Sequence, residues 1–324
     1  MRALRALFAV LLAASLLVAF GPAARADDAN TLPAKADVGA MRHLWQSLNN
    51  CGPASVVMAL STLGIDADQE EARLALRGSD VRRGMGPGPV DPWVNQLYGL
   101  HAVSRMNGTV DLIKRFVASG FAPMVTQWMQ DPSISRIAHW RTVRGYDDER
   151  GVFFVNDPML GANVALSYEW FEANWQPFSY RWMVIYQPSA AAQVQQIVGP
   201  DWSETAMRDR FYARAKADAQ AQDTSSAWLT YGEAAYQDGW FAEAVAAFER
   251  GMQLGSATGV FTVRSSYPLA LRALGRQNDS AAAAARLANL TATPAAVAQS
   301  PDSYALFIAY LRAHQNDGVV LTEN

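Results

Sequence analysis

Apolar residues recur at helical spacing through Asn50–Leu63, where Val56, Val57, Leu60 and Leu63 share one face. Thr109–Ser119 repeats the pattern and is stopped by Gly120. Asp68–Leu76 and Asp91–Leu100 read as shorter helices. Between them Gly78–Val90 carries four Gly and two Pro, which predicts a surface loop. The period then changes. Pro123–Trp128, Trp140–Gly145, Gly151–Val155 and Tyr180–Tyr186 are short β-favouring runs bounded by turn residues. Tyr146–Arg150 is placed to join two of them as a hairpin. Helices first and an antiparallel sheet afterwards predict an α+β fold over 39–188.

Residues 189–200, half of them Ala or Gln with one Ser and one Pro, read as a linker, and 201–324 as an Ala-rich helical domain. Within it Trp228, Gly232, Gly239, Phe241, Ala244 and Phe248 stand at the offsets of a tetratricopeptide unit. Gly275, 36 residues after Gly239, marks the turn of an eroded second copy, and Tyr304–His314 a further helix. An ordinary Ala-rich bundle is the competing reading. Stacked helix pairs would offer a groove to a peptide or protein partner.

The N-terminus changes the setting. Arg2 and Arg5 precede an apolar run from Ala6 to Phe20, then Gly21-Pro22 and the small-x-small triplet Ala24-Arg25-Ala26. That is the layout of a secretory signal over 1–26, followed by a polar leader over 27–38. The chain is therefore expected to be exported. Were the segment uncleaved, it would act as an N-terminal membrane anchor. Removing 1–26 takes away three arginines and no acid, so the net charge moves from −3 to −6. An acidic chain argues against a nucleic-acid partner. No His/Cys cluster or HExxH pattern suggests a metal, and the prolines of GMGPGP remove N–H groups that a phosphate loop would use.

An exported chain with a single cysteine cannot form an internal disulfide, so Cys51 is either inert and buried or kept for its chemistry. Asn49 and Asn50 are N-cap residue types, and Pro53 suits a first helical turn. The sulfur is thus expected at a helix N-terminus, where partial positive charge favours the thiolate. A nucleophile also needs a base. His43, His101, His139 and His314 are the candidates. His139 immediately precedes the strand WRTVRG, and Asp157 follows the next strand across the expected hairpin, where it could orient an imidazole. Asn156 is an alternative orienter, and spacing alone does not choose among the four histidines. Trp128, Trp140, Trp170, Trp175 and Trp182 read as core and cleft walls.

Three blocks in order, QSLNNCGPASVVMAL, AHWRTVRGYDD and GVFFVNDP, resemble the papain-like C39 peptidase family in its stand-alone, C39-like branch. The resemblance spans Leu44–Tyr186. It implies a papain-like fold, a thiol nucleophile at Cys51, a base at His139 88 residues on, and an orienting acid at Asp157 another 18 on. It places an oxyanion-hole glutamine at Gln46, where related thiol peptidases often have six residues rather than five in the interval. It implies peptide-bond hydrolysis through a thioester, on a peptide or protein substrate and without a cofactor. Two other readings remain open. The same triad could act as an acyltransferase, amidase or isopeptidase, or the domain could be a retired peptide-binding scaffold.

Overall fold

The computed structural model describes residues 32–80, 83–129, 137–255, 260–290 and 319–321. The segment read as an export signal and the helix expected at Tyr304–His314 lie outside them. The described residues from Pro33 onward form one compact unit.

The apolar stretch read at Asn50–Leu63 folds as α1 (Cys51–Ser61), buried along nearly its whole length. Asp68 caps α2 (Gln69–Leu76), its carboxylate accepting from the N–H groups of Glu70 and Glu71. Helix α3 (Val90–Tyr98) ends at Gly99 in the left-handed region. Thr109 caps α4 (Val110–Ala118).

The sheet is wider than the four apolar runs suggest. Its strands are β1 (Lys35–Asp37), β2 (His101–Arg105), β3 (Met124–Trp128), β4 (Ala138–Asp147), β5 (Val152–Asp157), β6 (Gly161–Ser167), β7 (Trp182–Tyr186) and β8 (Val319–Leu321). The order is β2-β7-β3-β4-β5-β6-β8, with β1 also paired to β4. All pairings are antiparallel. Part of the stretch read as a polar leader is therefore an edge strand. Residues 168–175, after β6, form α5 (Tyr168–Trp175).

Both faces of the sheet are covered. On β7, Trp182, Val184 and Tyr186 point into one core, and Met183 and Ile185 into the other. The second core is built with α1, α2 and α3. The first includes α4 and α5, and runs on without a break into the C-terminal helices. That continuity explains why 189–200 is not an extended linker. Its residues form α6 (Ala191–Val198), which buries Val194 and Val198, four positions apart.

The rest is helical: α7 (Glu204–Gln222), α8 (Ser225–Gln237), α9 (Phe241–Leu254), α10 (Val263–Ala273) and α11 (Gln277–Leu290). Gly239 and Gly275, both at positive φ, turn α8 into α9 and α10 into α11. The helices dock onto the sheet half through polar contacts as well. Thr230 Oγ1 donates to the Gln176 carbonyl, Arg214 to that of Gly108, and Asn107 Nδ2 to Asp201. Gly232 lets α8 and α9 approach, since a Cβ there would lie 2.5 Å from Phe248 Cδ1. Gly232→Ala is expected to cost about 1–3 kcal/mol by overpacking, read as a lower midpoint in urea unfolding.

Candidate active site

The turn before α1 sets the position of the cysteine. The N–H of Asn50 donates to the Ser47 carbonyl across a turn in which Asn49 has φ 57°, a left-handed conformation that asparagine tolerates. The helical ladder begins with Ala54 N–H on the Asn50 carbonyl. Asn50 stands at the N-cap, but its side chain does not cap the helix. Its Nδ2 donates to Ser47 Oγ and Gln69 Oε1, and its Oδ1 accepts from Arg77 Nε. The first-turn N–H groups are thus left to act on the sulfur or on a bound oxygen. Gly52 is required here, because a Cβ would sit 2.6 Å from Met85 Cβ. Met85 is buried, and its carbonyl accepts from Trp140 Nε1, so the glycine- and proline-rich loop is pinned over this end of α1 rather than lying wholly at the surface.

Alternation along β4 divides its residues. Thr142 Oγ1 donates to the Ser55 carbonyl of α1, and Trp140 joins the same core. His139 and Arg141, at the alternate positions, both meet Asp157 at the end of β5. His139 Nε2 lies 2.8 Å from Asp157 Oδ1, and Arg141 Nε donates to Oδ2 at 2.6 Å. Oδ1 also accepts from the N–H groups of Met159 and Leu160. All three side chains are fully buried. Arg141 donates further to Gln127 Oε1 and to the carbonyls of Trp128 and Met129.

The titrations follow from these contacts. Burial alone would raise Asp157, but the charges of His139 and Arg141 and the Met159 N–H hold its carboxyl far below the usual carboxylate range. Burial would lower His139, yet Asp157 and then Cys51 raise it above its ordinary value. Burial would raise Cys51, yet His139 and the N–H groups of Trp140 and Gly52 bring it below the ordinary thiol value. His139 Nδ1 is buried and has no partner in conventional hydrogen-bond geometry. With Nε2 held by Asp157, Nδ1 is the ring nitrogen left to meet the Cys51 sulfur, whose hydrogen bonding and charge act on His139. The arrangement, acid to imidazole to thiol, can support a thiolate–imidazolium pair.

The structure thus brings Cys51, His139 and Asp157 together. Gln46, half-buried, is tied to the same end of β5 by its N–H on the Pro158 carbonyl. Asn156 takes no part, since its Oδ1 accepts from the Asn163 N–H. His43 lies nearby, with Nε2 against the Asp157 carbonyl and its ring edge-on to Trp45. His101 opens β2 at the far end of the sheet, beside Asp91, and His314 lies outside the described residues. Arg141 is a site residue that the sequence motifs do not mark. The available signal was its position two residues after His139, which in a strand puts both on one face. Among the described residues no group of His, Cys, Asp or Glu could hold a metal ion, and no helix is long and apolar enough to cross a membrane.

Residues 36–183 match the model of the Peptidase_C39 like family. The similarity read from the three sequence blocks therefore holds over the sheet half of the chain, an α+β peptidase-type domain followed by helices. No curated protein matches the chain. Among solved structures, one described as a C39-like peptidase from Bacillus anthracis is 14% identical, with TM-score 0.40, covering 47% of this chain and 98% of its own. A double-glycine-motif protease of an AMS/PCAT transporter, in complex with a leader peptide, is 18% identical, with TM-score 0.37 and coverages of 47% and 94%. The peptidase domain of Streptococcus ComA, a bifunctional ABC transporter, is 16% identical, with TM-score 0.36 and coverages of 46% and 99%.

Proposed function

We propose, starting from the Peptidase_C39 like match of residues 36–183, that this chain is an exported cysteine peptidase using Cys51, His139 and Asp157. The observation that carries this reading is the buried chain of contacts in which Asp157 raises His139 and His139 in turn lowers the Cys51 thiol. The Cys51 thiolate attacks the carbonyl carbon of a peptide bond, and the carbonyl oxygen becomes an oxyanion. Donors to it are the Gln46 side chain and the Cys51 N–H, which precedes the first helical hydrogen bond. His139 Nδ1–H protonates the leaving amine, the C–N bond breaks, and a thioester remains. Nδ1 then takes a proton from water, the hydroxide attacks the thioester, and the C–S bond breaks to release acid and thiolate. Asp157 stays ionised throughout, holding Nε2–H and stabilising the imidazolium. The substrate is a peptide or protein. The Ala-rich helices, with glycine turns at Gly239 and Gly275, act as a tetratricopeptide-like docking module.

Burial of the reacting pair favours a second reading. Cys51 is 9% exposed and His139 0%. A thioester formed there is shielded from water, which suits transfer to an amine acceptor. The test is to incubate the chain, cut after Ala26, with an unfolded protein substrate, with and without added glycinamide. Peptidase activity yields new free carboxyl ends that Cys51→Ala does not yield. Products capped by glycinamide at the expense of free acid indicate transfer, and identical products from wild type and Cys51→Ala overturn both readings. Gln46→Ala is expected to lower kcat about 10²–10³-fold with little change in KM, as loss of one oxyanion donor does.

A further inference from the structure

We propose that Arg77 is a positioning residue for Cys51: it holds the turn that presents the sulfur and leaves its own charge to balance the thiolate. The inference rests on the thiol chemistry proposed above. Arg77 follows α2 directly and is 3% exposed. Its Nε donates to Asn50 Oδ1 at 3.0 Å and its Nη2 to the Leu48 carbonyl at 3.0 Å. Its Nη1 donates to the carbonyls of Asp80, at 2.7 Å, and Arg83, at 3.2 Å. These four acceptors are neutral. A guanidinium buried to this extent ordinarily sits against a carboxylate, because its charge is costly to desolvate.

Among the described residues no carboxylate bonds Arg77 directly, although Glu70 and Asp80 support its charge from farther off. On α2, Glu70 takes Arg73 Nε and Ser47 Oγ. On β5, Asp157 is shared by Arg141 and His139, both from β4. Asp80 offers Arg77 its carbonyl rather than its carboxylate. On α1 stands Cys51, one and three residues after the two groups that Arg77 bonds in the turn. Burial and the neighbouring Arg73 press on the guanidinium, while Cys51, Glu70 and Asp80 support its charge. Arg77, bonded to the residue before Cys51, thus adds its charge to that of His139 at this end of α1. His139 can lose its proton during turnover, whereas Arg77 cannot.

The test compares the pH midpoint of Cys51 alkylation by iodoacetamide in Arg77→Lys and Arg77→Gln. Lysine keeps the charge and is expected to keep the midpoint close to wild type. Glutamine keeps polar contacts without charge and is expected to raise the midpoint by about 1 pH unit, the lower end for a nearby opposite charge. Equal shifts in both variants, or none in either, overturn the proposal and leave Arg77 a structural clamp. Should Arg77→Gln fail to fold, a measurement on His139→Ala replaces it. With Arg77 intact there, anionic iodoacetate is expected to gain several-fold on neutral iodoacetamide relative to a free cysteine thiolate. A ratio equal to that of free cysteine overturns the proposal. Failure of the thiol-hydrolase reading shows separately, as an ordinary thiol midpoint in the wild type, because the Arg77 comparison is read between variants.

Discussion

Cys51→Ala is expected to abolish peptide hydrolysis, a loss of about 10⁴–10⁶ in kcat, with the fold retained. The size follows from the mechanism. Without the sulfur there is no acyl-enzyme, and what remains is the binding and oxyanion stabilisation that a nucleophile-less triad keeps. The fold is retained because the change removes one atom from a small side chain at the start of α1. The turn that positions residue 51 is held by Asn50, Ser47, Gln69 and Arg77 rather than by the thiol. Turnover of a fluorogenic peptide, alongside thermal unfolding, checks both parts. Activity within tenfold of wild type would remove Cys51 from the chemistry.

Asp157→Ala is expected to damage activity and stability together. It deprives His139 of its orienting partner, a loss of about 10⁴ by analogy with other triads. It also leaves the Arg141 guanidinium, fully buried, without its carboxylate, which typically costs about 3–5 kcal/mol. The pH dependence carries a sign. The folded-state pKa of Asp157 lies far below its unfolded value. Its stabilisation is therefore fully present above the unfolded value of about 4 and is lost as pH falls toward the folded one. Urea unfolding at pH 7 and pH 3 should show a smaller gap between wild type and Asp157→Ala at the lower pH. The double variant Asp157→Leu/Arg141→Met is expected to recover much of the stability and none of the activity. A fully stable single variant would show that the buried cluster contributes little to the fold.

How far the structure could be read from the sequence varied with how local the determinants are. The helix α1 and its cysteine declared themselves through a cap-type pair, a proline and an apolar face within a few residues. Strands β3, β4, β5 and β7 did so through β-branched and aromatic runs. Three other strands carried no such mark. The strand β1 is KAD at an edge, β2 is HAVSR directly after a helix, and β6 is GANVALS, whose Gly, Asn and Ser read as turn. The helix α6 is hidden in linker-like composition because it buries only Val194 and Val198 fully, with Ala191 and Ile197 partly buried beside them. At the site, residues 51, 139 and 157 were reached through motif order. Arg77 and Arg141 were not, because a charged residue in a short helix or strand ordinarily faces solvent. Only the packing of α2 against the turn, and of β4 against β5, reveals that these two are buried.

The central claim, that Cys51 and His139 form an ion pair, is tested most directly by the rate of Cys51 alkylation against pH in the wild type and in His139→Ala. The account predicts a wild-type thiol that reacts well below its ordinary pKa of about 8.5, and a variant in which that low-pH limb is gone. Reaction of both only above about pH 8, as for a free cysteine, would contradict it.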